Sequence, residues 1–206
     1  MTSELTADAT RPGPRSARLI IMGPQGAGKG TQAARLAEHY GVPAISTGDI
    51  FRANIKGGTE LGKLVQEYTA KGDLVPDSVT NDMVRDRLAQ DDVAHGFILD
   101  GYPRNAAQVV ELDGILADLG VELDAVLELT ADRDELLARL RKRAEVEGRE
   151  DDTEEAIARR LDIYAEQTAP LTSAYAERGL LAQVDGIGEI DDVTARLVEA
   201  LAPLVG

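Results

Sequence analysis

The run Gly23-Pro24-Gln25-Gly26-Ala27-Gly28-Lys29-Gly30-Thr31 constrains this chain more than any other stretch. Directly before it, Arg18-Leu19-Ile20-Ile21-Met22 is apolar and rich in β-forming residues. Directly after it, Ala33, Leu36, Ala37 and Tyr40 recur at i, i+3, i+4 and i+7, the spacing of one helix face. A buried strand, a glycine-rich turn and a helix therefore follow one another without a gap. In that context glycines let successive backbone N–H groups curl around an anion, the helix N-terminus adds partial positive charge, and a lysine reaches the outer phosphates. Gly23, four residues, then Gly28-Lys29 is the Walker A spacing. At the next position Gly30 stands where Ser or Thr is usual, with Thr31 one place later, so the hydroxyl that ordinarily holds Mg²⁺ is displaced. The GxGxxG spacing of a dinucleotide loop is absent, and a purely structural turn would give Lys29 nothing to do.

Short apolar segments alternate with helical patterns along the rest of the chain. After the first strand come Pro43-Ala44-Ile45-Ser46, Phe97-Ile98-Leu99, Ala125-Val126-Leu127-Glu128-Leu129 and Leu180-Leu181-Ala182-Gln183-Val184. This alternation predicts an α/β fold, a five-stranded parallel sheet in a three-layer arrangement of the P-loop type with helices on both faces. Ligands of such sheets sit beyond the carboxyl ends of the strands. The interval from Ser46 to Phe97 is longer than one crossover helix requires. It carries Leu61, Leu64, Val65 and Tyr68 on one face, then Val79, Met83 and Leu88 after Pro76-Asp77, and so predicts an inserted helical lobe. The interval from Ala131 to Gly179 opens on a cap-like Asp132-x-x-Glu135 with Leu136, Leu137 and Leu140 behind it. A second helix is expected there from about Asp152, with a tight solvent loop over Glu145–Glu150.

Composition excludes several classes. The chain has 206 residues and a net charge of −15, which argues against nucleic-acid binding, because that needs a basic face. Any phosphate site must therefore gather its own positive charge. Aromatic residues are 3% with no Trp, which leaves little for a base-stacking platform. No apolar run approaches the roughly 18–20 residues that span a bilayer, and no membrane partner is expected. Residues 1–16 are polar, with Pro12, Gly13 and Pro14 and no apolar segment of the secretory kind, and read as a disordered tail. The absence of cysteine excludes disulfides and thiolate metal sites and suits a cytoplasmic location.

Two further strand ends carry chemistry. Ser46-Thr47-Gly48-Asp49-Ile50-Phe51-Arg52 is read either as a helix cap or as a phosphate site, with Arg52 on the first turns of the next helix. Phe97-Ile98-Leu99-Asp100 is an apolar strand ending in a carboxylate, the Walker B arrangement that holds Mg²⁺ or its waters. Gly101-Tyr102-Pro103-Arg104 follows, a stiffened turn that supplies a guanidinium suited to a phosphate fork.

The segments GPQGAGKGTQ, STGDIFR, DLVPD, DGYPRNAAQ, DELLARLRKR and DDTEEAIARRLDIY, in this order, resemble adenylate kinase. The likeness covers the chain from about Arg18 onward. Tyr102 and Phe51 stand where Phe and Leu are commoner in that family, and neither exchange touches a polar role. The resemblance implies a kinase domain over residues 17–206, with a lobe at 46–75 for the monophosphate and a lid at 139–150. It implies Mg²⁺-dependent transfer of a phosphoryl group from ATP to AMP, giving ADP, by a monomer. The lid matches the family's short form and lacks cysteine, so no structural zinc is expected, and much of the closing motion falls to the 46–75 lobe.

Residue by residue, the resemblance puts ATP phosphates on Gly26, Ala27, Gly28, Lys29, Gly30 and Thr31, with Arg139 against its base and Arg143 beside it. It puts AMP on Thr47, Arg52, Asp73, Val75, Gly101, Arg104, Gln108, Arg149 and Arg160, with Gln108 toward the adenine edge. Lys29, Arg104, Arg143, Arg149 and Arg160 form the catalytic set, and Asp49 and Asp100 position hydrated Mg²⁺. Arg141, Lys142 and Arg159 are read as solvated helix faces, His39 and His95 as packing or surface residues. A UMP/CMP kinase shares the loop and the arginines, but its STGD counterpart usually lacks the threonine, so Thr47 and Gln108 favour adenine. A GTPase would need an NKxD segment, which is absent, and a bare nucleotide binder would have no use for so many arginines.

Overall fold

The computed structural model describes residues 16–149 and 152–205. The expected tail, apart from Ser16, lies outside the described residues, as do Glu150 of the expected lid, Asp151 and Gly206.

All five expected strands form: β1 (Ala17–Met22), β2 (Ala44–Ser46), β3 (Gly96–Asp100), β4 (Ala125–Thr130) and β5 (Leu181–Asp185). They pair in parallel in the order β2-β3-β1-β4-β5. The strands read as continuous apolar runs because both faces of the sheet are buried. Leu19 and Ile21 point into one core with Leu127 and Leu129, while Ile20 and Met22 point into the other with Leu99 and Val126. The first core is closed by α1 (Lys29–Tyr40), α6 (Arg133–Glu147), α7 (Glu154–Ile163) and α9 (Ile190–Leu201) through Leu36, Leu140, Ile157 and Leu197. The second is closed by α4 (Asp77–Leu88), α5 (Ala106–Asp118) and α8 (Leu171–Glu177) through Val84, Leu112, Ile115 and Tyr175. Central β1 sends its connection toward β2, whereas β4 sends its own toward β5, so a crevice opens beyond the strand ends between them. The register sets Ser46 opposite Asp100, and Asp100 opposite Ile21, along that edge.

The inserted lobe consists of α2 (Thr47–Lys56) and α3 (Glu60–Thr69), built around Phe51, Val65 and Val75. Leu64 does not join its apolar face. It is exposed, because the face that meets α2 is centred on Val65 and Gly62. Among the described residues, no helix is long and apolar enough to cross a membrane.

The expected loop over Glu145–Glu150 is corrected in its first half. Helix α6 continues through Glu147 and stops at Gly148, whose left-handed φ of 59° lets its N–H return to Ala144 O. Ala144, Glu145 and Glu147 are good helix formers, and a helix turned to solvent needs no apolar residues there. The next helix starts later than expected. Thr153, not Asp152, caps α7, its hydroxyl accepting from Ala156 N, and Asp152 points inward instead.

Candidate active site

Helix α1 begins without a side-chain cap and with no acidic residue in its first turn, so its free N–H groups face the crevice. The loop before it is closed by an Ala27 N–H to Pro24 O bond of 3.1 Å. The Lys29 Nζ folds back to Pro24 O at 3.3 Å. Burial pushes the Lys29 ammonium below its usual range, against the attraction of Asp100, with Arg104 and Arg143 adding repulsion.

Around this loop lies an open cleft of about 1070 Å³. That exceeds the usual upper end for one ligand, about 1,000 Å³. The cleft brings together Gly26, Gly28, Lys29, Gly30, Thr31, Thr47, Asp49, Arg52, Asp73, Val75, Asp100, Gly101, Arg104, Gln108, Arg139, Arg143, Arg149 and Arg160. Ala27 is the one expected residue outside it. Its methyl is buried under the loop against the core of α6 and α9. A smaller recess opens on that side of the loop, between Ala27, Arg139, Gly186 and Ile190.

Each expected cation has a protein acceptor. Arg52 pairs with Asp49 across one helical turn. Arg104 donates through Nε to Gly101 O at 2.8 Å and through its backbone N–H to Gln108 Oε1 at 2.7 Å. Burial lowers its pKa too, with Asp100 opposing. Arg139 holds Glu135 at 2.7 Å and reaches Gly186 O with both terminal nitrogens, at 3.1 and 3.2 Å. Arg149 donates to Glu147 Oε2 at 2.5 Å. Arg160 reaches Thr69 O at 3.0 Å and Asp152 Oδ1 at 3.3 Å.

The acceptor side is equally ordered. The Thr47 hydroxyl, almost fully buried, donates to Gly101 O at 3.1 Å, which ties the start of α2 to the end of β3. The capping reading of Ser46-Thr47-Gly48-Asp49 also holds, since Ser46 Oγ accepts from Asp49 N. Gln108 is buried and donates to Asp77 Oδ1 at 2.8 Å, so its amide is oriented by Asp77 on one side and Arg104 on the other. Asp49 is half committed to Arg52, whereas the Asp100 carboxylate faces the start of α1. Its Oδ2 lies 3.9 Å from where a Cβ on Gly30 would stand.

Four residues carry the site without having been singled out in the sequence. Asp152 has a fully buried side chain and accepts a two-pronged grip from Arg143 at 2.8 and 2.9 Å. Gln25 donates to the same carboxylate at 3.0 Å. Thr168, in the π-helical turn Tyr164–Thr168, donates to Arg104 O at 2.7 Å. Asp77 orients Gln108 and Asn105. The aspartate doublet before α7 was the one available signal, and it also reads as a helix start. Arg159 is exposed, as expected of a solvated helix face, and its Nε also pairs with Asp73 at 2.9 Å, which raises its pKa. His39 and His95 are exposed, His39 edge-on to Tyr40.

A model of the adenylate kinase family matches residues 21–180. An adenylate kinase of Kocuria rhizophila is 64% identical over 184 residues, covering 89% of this chain and 98% of the relative. Adenylate kinases of Bifidobacterium longum and Thermobifida fusca are 61% and 59% identical over the same share of this chain, covering 99% and 97% of theirs. With the phosphate loop, the Asp100 strand end and the arginine-lined cleft in one crevice, and relatives matching almost end to end, the chain belongs to the adenylate kinase family.

Proposed function

We propose that this enzyme transfers the terminal phosphoryl group of ATP reversibly to AMP, giving two ADP and so balancing the adenine nucleotides. The observation that carries this reading is the convergence of Lys29, Arg52, Arg104, Arg139, Arg143, Arg149 and Arg160 on one cleft in a chain of net charge −15. Phosphoryl transfer needs positioning and charge neutralisation more than covalent help, and a cleft of this kind supplies both.

In this reading the free N–H groups of the loop from Gly26 to Thr31 hold the ATP phosphates, and Lys29 reaches the outer ones. The recess beside Ala27 and Gly186 takes the ATP base under Arg139. Thr47, Arg52, Asp73, Val75, Gly101, Arg104 and Gln108 take AMP, with Asp77 fixing which way the Gln108 amide faces. Arg149 and Arg160 leave their internal acceptors for the transferring group, whose charge suits a guanidinium, while Arg143 meets the ATP phosphates still held by Asp152. Mg²⁺ takes one or two carboxylates together with waters and substrate phosphates, and Asp100, with Asp49 on the AMP side, meets that donor set. Bound there, it would neutralise charge on the ATP phosphates. The reading includes lobe closure at 46–75 over a short lid, a cytoplasmic monomer, and no structural zinc, nucleic-acid or membrane partner.

The test is ADP formation from ATP with AMP, CMP or UMP, with and without Mg²⁺. AMP should be the best acceptor and the reaction should require Mg²⁺. Faster turnover of a pyrimidine monophosphate would overturn the assignment.

A further inference from the structure

Asp152 Oδ1 is over-subscribed. It receives Gln25 Nε2 at 3.0 Å, Arg143 Nη2 at 2.9 Å and Arg160 Nη1 at 3.3 Å, while Oδ2 receives Arg143 Nε at 2.8 Å. A carboxylate oxygen offers about two lone-pair sites, so three donors on one oxygen compete. The longest of the three contacts is that of Arg160. Gln25 belongs to the phosphate loop, whereas the arginines come from α6 and α7, so its amide is the one polar group in this cluster that comes from the loop.

The amide is also held at a cost. Its Oε1 is buried and has no hydrogen-bond partner among the described residues. Turning the amide over would set that oxygen against the Asp152 carboxylate, so the contact with Asp152 fixes the amide and leaves the oxygen unmet. A buried acceptor without a donor calls for a reason. The reason here is the contact at the other end of the same group.

We propose that Gln25 is a positioning residue for phosphoryl transfer: by competing for Asp152 Oδ1 it loosens Arg160 from that carboxylate, while Arg143 keeps its two-pronged grip. The phosphate loop thereby influences which arginine turns toward the transferring group. Gln25 acts through Asp152 and Arg160, and the inference rests on the reading of Arg160 as a residue of the transferring phosphoryl group.

The test uses the whole enzyme with saturating ATP, AMP and Mg²⁺, and a melting curve for each variant. Gln25→Leu removes the competing donor, so kcat should fall about tenfold while both KM values stay within about twofold. In the Asp152→Asn background the same change should cost less than about twofold, because the two residues act as one unit. Gln25→Glu, the closest isostere, should be worse than Gln25→Leu, since it sets two carboxylates together. Unchanged kcat in Gln25→Leu, a fall confined to KM for ATP, additive losses in the double variant, or a Gln25→Glu enzyme as good as the parent would each overturn the proposal. The Glu arm stands even where Asp152→Asn does not fold. Arg160→Ala, assayed alongside, separates the two levels. A loss of about a hundredfold upholds the role of Arg160, and a normal Gln25→Leu enzyme then sinks the Gln25 inference alone. A normal Arg160→Ala enzyme overturns both.

Discussion

Arg143 grips Asp152 through two hydrogen bonds, Nε to Oδ2 at 2.8 Å and Nη2 to Oδ1 at 2.9 Å, and the Asp152 side chain has no exposed surface. A buried carboxylate is tolerated only when paired. Here the pairing joins α6 to the segment just before α7. Arg143 and Arg160 remain 24% and 16% exposed, so water still reaches the cationic side of the pair.

Asp152→Ala should therefore destabilise the enzyme by about 1–3 kcal/mol. Removing one member of a fully buried pair costs about 3–5 kcal/mol, and exposure of the arginines lowers that figure. Turnover should fall at least tenfold, as for loss of a group that orients a transition-state contact. Urea unfolding and steady-state kinetics measure the two effects. Full stability with full activity would mean that the cluster orders nothing.

Lys29 is the second place where burial and function conflict. Its ammonium is lowered by desolvation more than Asp100 restores it. A lysine with a depressed folded pKa binds fewer protons folded than unfolded, so its cost to stability is full at pH below the folded value. That cost fades as pH rises toward the unfolded value of about 10.4. Lys29→Met should then melt higher than the parent near pH 7, by a margin that shrinks as pH rises through that window, while kcat falls at least about a hundredfold. In the parent, kcat/KM for ATP should lose activity on the alkaline side at a pH below the ordinary lysine range. Thermal melts from pH 7 to 10 check the stability half, and a variant that melts lower than the parent throughout would contradict it.

The candidate site was legible in the sequence wherever a cleft-lining polar side chain sat in or beside the turn after a strand. Asp100 ends an apolar run, and Lys29 and Arg104 lie in the glycine- or proline-marked turns that follow such runs, where sheets of this kind bind ligands. Asp152 was not legible, because its direction depends on where α6 stops. That stop is set by Gly148 at the end of a solvent-facing turn without apolar periodicity. Gln25 looked like one residue of the loop because its partner is 127 positions away. Arg159 and Asp73 are separated by 86 positions, and only the docking of α7 against the end of α3 brings them together. Local patterns specify elements, and contacts between elements appear only once the chain is packed.

Arg104 is fixed at three points, and the least obvious is Thr168. Its hydroxyl donates to Arg104 O at 2.7 Å, while Gln108 and Gly101 hold the backbone N–H and the guanidinium. Thr168→Val keeps the shape and removes the donor, leaving a carbonyl unmet, at a cost of about 1–2 kcal/mol. KM for AMP should rise at least threefold with KM for ATP nearly unchanged, because only Arg104, which the proposed reading gives to AMP, is disturbed. Thr168→Ser should restore both, which a packing role for the methyl group would not allow. Equal shifts in the two KM values would contradict the assignment.

Gly72 marks the junction between the inserted lobe and α7. Its φ is +76°, and a Cβ there would come within 2.5 Å of Ala156 O, a backbone atom that cannot step aside alone. The same junction is bound by Arg159 to Asp73 at 2.9 Å and by Arg160 Nη2 to Thr69 O at 3.0 Å. Gly72→Ala should therefore do more than strain one residue. The ordinary penalty for a left-handed alanine is about 1–2 kcal/mol, and the clash adds the work of moving α7 off the lobe. That movement would shift Arg160 with it, so KM for AMP and kcat should both worsen by at least about fivefold. Arg159→Ala, which loosens the same junction without a clash, should give a weaker form of the same pattern. A Gly72→Ala enzyme that is merely less stable, with AMP kinetics intact, would show that the lobe and α7 move independently.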